Sequence, residues 1–89
     1  MSNESYLNHP TFGLLYRICP LDGDQEIFTT LYAQRLFFIV DISGDNLAFN
    51  PITRSEARLM IETRLRGLRR IGAFTQYQDL QQIHKQTFL

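Results

Sequence analysis

The chain has 89 residues and a mass of 10.4 kDa, which allows one domain with a single modest hydrophobic core and leaves little room for a deep substrate cavity. Hydrophobic residues make up 44% of the chain, a fraction that is typical of globular proteins and argues against disorder. Nine basic residues balance nine acidic ones, so the chain as a whole exerts no long-range attraction on nucleic acid.

The charges are unevenly distributed along the chain. Residues 1–53 contain six acidic residues and two arginines, a net charge of −4. Residues 54–70 contain six arginines and two glutamates, a net charge of +4. This separation predicts that the two parts contact charged partners or each other.

The first 52 residues predict short strands separated by turns. Strand-favouring residues occupy "GLLYRIC" (13–19), "QEIFTTLY" (25–32), "RLFFIVD" (35–41) and "LAFNPI" (47–52), and "SYLNH" (5–9) can add a fifth strand. Proline, glycine, serine, aspartate and asparagine mark turns at 20–24 and 42–46. Four or five short antiparallel strands at this spacing predict a small, strongly bent sheet or barrel.

The strand at 35–41 is apolar on both of its faces, whereas a one-sided sheet needs only alternate apolar residues. If Ala33 and Gln34 form a two-residue turn, Tyr32 pairs with Arg35 and Thr29 with Phe38, although these turn residues lack the Asn or Gly that such a turn favours. One face then carries Leu31, Leu36, Phe38 and Val40, and the other carries Tyr32, Arg35, Phe37 and Ile39. The sequence leaves open which face is inside. The other face must be covered by helices, by a partner or by both.

Residues 53–72 predict an amphipathic helix. Thr53 and Glu56 form a Thr-x-x-Glu capping box, and Gly72 stands where glycine commonly follows a helix end. One apolar stripe recurs at helical spacing and consists of Ala57, Ile61, Leu65 and Leu68. The change from strands to helices divides the chain into a β domain, 1–53, and a two-helix segment, 54–89.

A second capping pair, Thr75 and Gln78, predicts a helix over 75–88. Its apolar side consists of Tyr77, Leu80, Ile83 or His84, and Phe88. Because the link at 72–74 is short, the two helices are expected to be antiparallel neighbours. The thin apolar stripe and the many glutamines predict that the second helix is only loosely attached.

Residues suited to catalysis or metal binding are few. Cys19, at a strand end, is best interpreted as a small, half-buried thiol. His9 and His84 are too far apart in sequence for a ligand motif. "DGDQE" (22–26) resembles the start of a calcium loop, but its glycine is misplaced and the closing glutamate is missing, which indicates a turn. We therefore expect no enzyme activity, no metal and no cofactor.

Two other binding functions are alternatives to protein–protein interaction. "RLRGLRR" (64–70) offers arginines for phosphates, as in a small nucleic-acid-binding module. However, the β part is acidic and Glu62 can pair with Arg66, which favours a solvated helix face or an acidic partner. The aromatic residues could cage a methylated lysine, but a barrel of this size needs several rings simply to fill its core.

The sequence predicts a cytoplasmic location. The single cysteine excludes an internal disulfide, which suits a reducing compartment. The first residues lack the features of a signal peptide, and no apolar run approaches the ~20 residues of a membrane span.

Three stretches carry a resemblance to a known family: "YLNHPTFGLLYRIC" (6–19), "FTTLYAQRLFF" (28–38) and "EARLMIETRLRGLR" (56–69). They closely resemble the cyanobacterial PipX family (PII-interacting protein X). The likeness runs nearly end to end and is weakest at the turns 20–26 and 41–46 and after Gly72. It implies an α+β fold, in which a small, strongly bent antiparallel Tudor-like (KOW-like) β-barrel precedes two C-terminal α-helices.

The resemblance also implies a non-catalytic signalling adaptor in nitrogen regulation. Such an adaptor is a monomer when free and contacts no nucleic acid directly. It binds the trimeric sensor PII when 2-oxoglutarate is scarce and ADP is high. It binds the dimeric transcription factor NtcA, as a co-activator, when 2-oxoglutarate is abundant. A ternary role with the regulator PlmA is also associated with the family. The residues that match the family's partner-binding face are Tyr32, Gln34, Arg35, Leu36 and Phe38, with Glu4 and Tyr6 from the N-terminus and Arg69 as an outlying contact.

Overall fold

In the computed structural model of the chain, which describes residues 6–31, 36–44 and 46–88, five strands precede two helices. The strands are β1 (Tyr6–His9), β2 (Gly13–Pro20), β3 (Gln25–Thr30), β4 (Phe37–Asp41) and β5 (Ala48–Ile52). The helices are α1 (Arg54–Arg70) and α2 (Phe74–Phe88). In this described part, neither helix has the length and apolarity that crossing a membrane requires.

The strands form one antiparallel sheet in the order β1-β2-β3-β4-β5. A register shift between Arg17 and Cys19 interrupts the β2–β3 pairing, and such a bulge increases the local bend and twist. The sheet curls so far that rings from its first and last strands meet: the centroids of His9 and Phe49 are 4.8 Å apart. The fold is therefore a curled half-barrel followed by two helices, and the predicted α+β, Tudor-like architecture is confirmed.

The pairing of β3 with β4 differs by one residue from the sequence-based prediction. Thr29 lies opposite Phe37, not Phe38. The register continues beyond the strand end, because the Thr30 amide and the Thr29 hydroxyl both donate to the Leu36 carbonyl, at 3.2 and 2.8 Å. The predicted register was wrong because it assumed a two-residue turn, for which the sequence has no Asn or Gly. The turn residues themselves lie outside the described residues.

Both faces of β4 are covered within the molecule, which answers the question raised by its continuous apolar sequence. Phe38 and Val40 point into the half-barrel, where they pack with Leu15 and Phe28. Phe37 points to the opposite face and belongs to the cluster between the sheet and the helices. The face carrying Phe38 is thus the inner one, and α1 and α2 cover the outer one around Phe37.

Helix α1 begins and ends as the sequence predicts. The Glu56 amide donates to the Thr53 hydroxyl at 3.0 Å, and the Thr53 amide donates to the Glu56 carboxylate at 2.8 Å, which completes the capping box. At the other end, Gly72 has a φ of 77°. The Ala73 amide donates to the Leu68 carbonyl and the Gly72 amide to the Arg69 carbonyl, the two hydrogen bonds of a Schellman motif. The stripe of Ala57, Ile61 and Leu68 is buried, with Leu65 packed against it.

Helix α2 begins at Phe74, one residue before the predicted cap. The Tyr77 amide donates to the Ala73 carbonyl at 2.9 Å, so Thr75 already lies inside the helix and the predicted second capping box is wrong. The Schellman turn explains the early start, because it positions the Ala73 carbonyl as the first acceptor of the next helix. Leu80 and Phe88 of the predicted apolar side are buried.

The two helices are antiparallel neighbours, as predicted. The start of α1 meets the end of α2, where an Arg54 guanidinium nitrogen donates to the Thr87 carbonyl at 3.1 Å. Further along, the Glu62 carboxylate lies 3.1 Å from His84 Nε2 and also binds Arg58. The predicted Glu62–Arg66 pair does not form, since Arg66 donates instead to the Thr63 hydroxyl.

Candidate partner-binding surface

Four of the eight residues matched to the partner-binding face fall within the described part of the chain. They are Tyr6, Leu36, Phe38 and Arg69. The other four, Glu4, Tyr32, Gln34 and Arg35, lie outside the described residues.

Leu36 combines a fixed backbone with an exposed side chain. It directly precedes β4, and its carbonyl accepts the two hydrogen bonds from Thr29 and Thr30. Its side chain is nevertheless 41% exposed. Leu36 is therefore accessible to a partner, as are other exposed large hydrophobic side chains such as Leu47 and Leu59.

Tyr6 is the second exposed member of the predicted face. It lies on β1, an edge strand of the sheet, opposite Tyr16 of β2. The two rings are in contact, with centroids 5.8 Å apart, and Tyr6 remains exposed. The contact with Tyr16 restrains the Tyr6 ring without covering it.

Phe38 is placed differently, because only 4% of it is exposed. It lies within an aromatic cluster, formed by His9, Phe12, Phe38 and Phe49, with ring centroids 5.0 Å from His9, 5.9 Å from Phe12 and 6.5 Å from Phe49. In the free chain Phe38 therefore supports the surface from below, and Phe12, 49% exposed, is the ring that solvent reaches.

The sequence analysis missed His9 as the organiser of this aromatic cluster. Its Nδ1 accepts hydrogen bonds from the amides of Thr11 and Phe12, at 3.0 and 3.2 Å. Its ring contacts Phe12, Phe38 and Phe49 at centroid distances of 4.8 to 5.0 Å. The signal lay in "HPTF" (9–12), where a histidine precedes a turn and can cap it with a ring nitrogen. Because the rings touch one another, they fill the half-barrel's end.

Arg69 lies in the last turn of α1 and is exposed, as is the neighbouring Arg70. Basic residues here stabilise the helix through its C-terminal partial negative charge. Arg69 thus lies on α1, whereas the other residues of the predicted face precede the helices in the chain.

Burial and hydrogen bonding account for the pKa shifts of the titratable groups at two positions, Cys19 and Glu62. Burial raises the pKa of the Cys19 thiol to about 11, against smaller opposing effects of Arg64 and Arg17. Hydrogen bonds from Arg58 and then His84 lower the pKa of the Glu62 carboxyl. Within the described ranges, no three His, Cys, Asp or Glu side chains come together in a way that could hold a metal ion. The strongest perturbation thus makes Cys19 a poorer nucleophile.

A small half-barrel that displays apolar and aromatic side chains, with a helical hairpin packed on its outer face, defines a binding module of the Tudor-like class. Comparison with protein families gives a match to PipX, PII-interacting protein X, over residues 3–88. The chain belongs to the PipX family, a family of PII-interacting signalling adaptors. A search of curated proteins gave no match.

Proposed function

We propose that this protein is a cytoplasmic adaptor in nitrogen regulation that alternates between two partners. It binds PII when 2-oxoglutarate is scarce, and it binds and co-activates NtcA when 2-oxoglutarate is abundant. The observation that carries the proposal is the family match over residues 3–88. The regulator PlmA is a further partner in this proposal.

Both partners use one face of the half-barrel in this proposal. The exposed side chains of Tyr6 and Leu36 support that assignment. Glu4, Tyr32, Gln34 and Arg35 complete the face, Phe38 supports it from inside the barrel, and Arg69 adds an outlying contact. Because the same residues serve both partners, one complex excludes the other by steric overlap, with no conformational change needed in the sheet.

The metabolite acts through the partners in this account. A ligand shifts a binding equilibrium only by its differential affinity for the competing states. If 2-oxoglutarate lowers the affinity of PII for the adaptor and raises the affinity of NtcA for it, the adaptor moves from PII to NtcA without binding 2-oxoglutarate itself.

Leu36→Ala tests the proposed face. We expect it to weaken binding to purified PII by roughly tenfold, because an anchor that loses its apolar contacts forfeits about 1–2 kcal/mol. Its stability should change little, since Leu36 is already partly in solvent. Leu59→Ala on α1 is the matched control, because Leu59 is 61% exposed and lies on another element. Equal affinities of the two variants for PII, measured by calorimetry, would remove Leu36 from the interface.

Tyr32→Ala is expected to weaken the complexes with both PII and NtcA, again by roughly 2 kcal/mol, while the folded state persists. Circular dichroism checks the fold, and surface plasmon resonance with each partner checks the affinities. Loss of only one complex would show that the two partners use different faces.

A further prediction of the proposal concerns α2. We propose that α2 separates from α1 when PII binds, because only three of its 15 residues are buried, Leu80, Thr87 and Phe88. Hydrogen exchange of residues 75–88 should then be faster in the PII complex than in the free protein. Unchanged protection of this segment would contradict the separation.

Nucleic-acid binding is the rival function and rests on the exposed Arg69 and Arg70. It predicts DNA or RNA binding by the isolated protein with a steep salt dependence. Arg58 of the same helix, α1, is paired with the Glu62 carboxylate, and the chain as a whole has no net charge. We therefore expect gel-shift titrations without NtcA to show no complex.

A further inference from the structure

A cavity of about 450 Å³ lies where the sheet meets both helices. Of the residues proposed to bind partners, the four that the structure describes do not line it. Its walls come from the end of β2, from α1 and from α2, and include Arg17, Cys19, Arg64, Gln76, Asp79 and Leu80. Its volume is within the range of small-molecule binding sites in proteins.

Arg64 is the unusual residue of this cavity. Its Nε is buried and has no hydrogen-bond partner among the residues that the structure describes. A buried N–H of a charged group is unfavourable without an acceptor, and native proteins rarely leave one unsatisfied. An acceptor supplied by a ligand would satisfy it.

A second guanidinium lies in the same wall. Arg17 binds the Glu26 carboxylate through one Nη2 contact of 3.2 Å, which leaves other donors of its guanidinium for a second acceptor. Arg17 and Arg64 both act electrostatically on the Cys19 thiol, where each opposes the burial that raises its pKa. Glu26, the ion-pair partner of Arg17, has the opposite effect on that thiol, so Arg64 supplies the main positive charge of this region of the cavity.

A neighbouring cavity provides an internal comparison. It measures about 350 Å³ and is also lined by Arg64, but its other charged lining residue is the acidic Asp22. The first cavity has two arginines and one acidic residue, Asp79, in its lining. Because Glu26 offsets the charge of Arg17, the two cavities differ mainly in the additional guanidinium donors that Arg17 supplies to the first.

We propose that the first cavity binds a small organic anion. Its carboxylate or phosphate group accepts a hydrogen bond from Arg64 Nε and faces Arg17, and its carbon skeleton contacts the apolar side chains of Leu68, Leu80 and Ile83. Because such a ligand touches β2, α1 and α2 together, it strengthens the attachment of α2 to the rest of the molecule.

The test is an NMR titration of the full chain with succinate, glycerol phosphate and inorganic phosphate, at constant ionic strength. We expect a saturable shift of the Arg64 Nε–H signal and of the Leu80 amide with at least one organic probe. Succinate and glycerol phosphate distinguish a carboxylate ligand from a phosphate ligand, and inorganic phosphate shows how much the carbon skeleton contributes. Absence of saturation with every probe up to about 50 mM, well above the millimolar Kd of a weak site, would overturn the proposal.

Three variants make the test specific. Arg64→Gln should weaken binding at least about tenfold, because it removes a charged donor. Asp79→Asn should strengthen binding by about threefold, since it removes a like charge from the wall. Arg70→Gln removes the same charge as Arg64→Gln from an exposed position of the same helix and should leave the affinity unchanged.

Because Asp79→Asn is expected to raise the affinity for the anion, this variant tests the site even if Arg64→Gln does not fold. Equal effects of Arg64→Gln and Arg70→Gln would indicate a general response to charge and overturn the site. An affinity that is unchanged or lower in Asp79→Asn would do the same.

Discussion

At Cys19, burial controls the chemistry of the thiol. Its pKa rises from 9.0 to about 11, so the thiol of the folded protein stays neutral well into the alkaline range. The unfolded chain releases this proton near pH 9 and the folded chain only near pH 11. The stability that Cys19 contributes is therefore complete below about pH 9 and is lost between pH 9 and 11, by up to about 2–3 kcal/mol.

Denaturant unfolding measured from neutral to alkaline pH checks this expectation. Cys19→Ala is the control, because it removes the thiol and retains every other group that titrates in this range. The variant should show a shallower fall in the free energy of unfolding between pH 9 and 11. Identical pH profiles for the two proteins would show that the Cys19 pKa is not raised by folding.

Phe38 and Phe12 belong to one aromatic cluster but differ in exposure, so their replacement should change the stability of the fold to different extents. Phe38→Ala should destabilise the fold by about 3–5 kcal/mol, because it leaves a cavity inside the half-barrel. Phe12→Ala should cost roughly 1 kcal/mol or less, since half of Phe12 is in solvent. Urea denaturation of both variants measures the difference. Similar losses would contradict the inner position of Phe38.

Among the features of the helices and strands, the sequence predicts best those that depend on residues close together in the chain. The capping box of Thr53 with Glu56 and the glycine at position 72 use hydrogen bonds within a few residues, and both ends of α1 were predicted. The β3–β4 register depends on a turn whose residues carry no strong signal, and it was wrong by one residue. The start of α2 depends on the Schellman turn before it, which outweighed the capping pattern at Thr75.

The C-terminal end of α2 packs against both the sheet and the start of α1. The Phe88 ring stacks on Phe37 of the sheet, with centroids 5.7 Å apart and planes inclined by 13°, and the Arg54 guanidinium lies 4.9 Å from its centroid. Phe88→Ala should destabilise the protein by about 2–3 kcal/mol and accelerate hydrogen exchange throughout 74–88. Phe74→Ala, at the opposite and exposed end of α2, should change the stability by about 0.5 kcal/mol or less.

Hydrogen exchange with mass spectrometry compares the two phenylalanine variants directly. Equal exchange rates in 74–88 for both would show that α2 is attached along its whole length rather than through Phe88. That outcome would also weaken the proposed separation of α2 on PII binding.

At the scale of the whole molecule, β4 joins the two halves. Phe38 fills the half-barrel and Phe37 supports the helices, so the continuous apolar run at 36–40 serves two separate cores. The sequence showed that both faces of β4 are apolar and must be buried. It did not show which face lies inside the half-barrel, because side chains alternate between the two faces in the same way for either arrangement. The cavity beside Arg64 could not be predicted either, because its walls come from three elements distant in sequence.

The proposed partner-binding surface was accessible to sequence reasoning only in part. The uneven charge and the two-sided apolar strand left open whether a partner or the chain's own helices make the contacts, and the resemblance supplied the candidate residues. Burial separates these candidates, since Leu36 and Tyr6 are exposed whereas Phe38 is inside. That distinction requires the three-dimensional packing of the aromatic cluster.

In the proposed function, one face of this adaptor serves PII and NtcA in turn. The most direct measurement is a competition experiment with the purified adaptor and both partners, in which analytical ultracentrifugation follows the two complexes as 2-oxoglutarate is raised. The account predicts that the adaptor passes from PII to NtcA and that no species contains both partners. A complex of all three proteins, or a distribution that 2-oxoglutarate leaves unchanged, would contradict it.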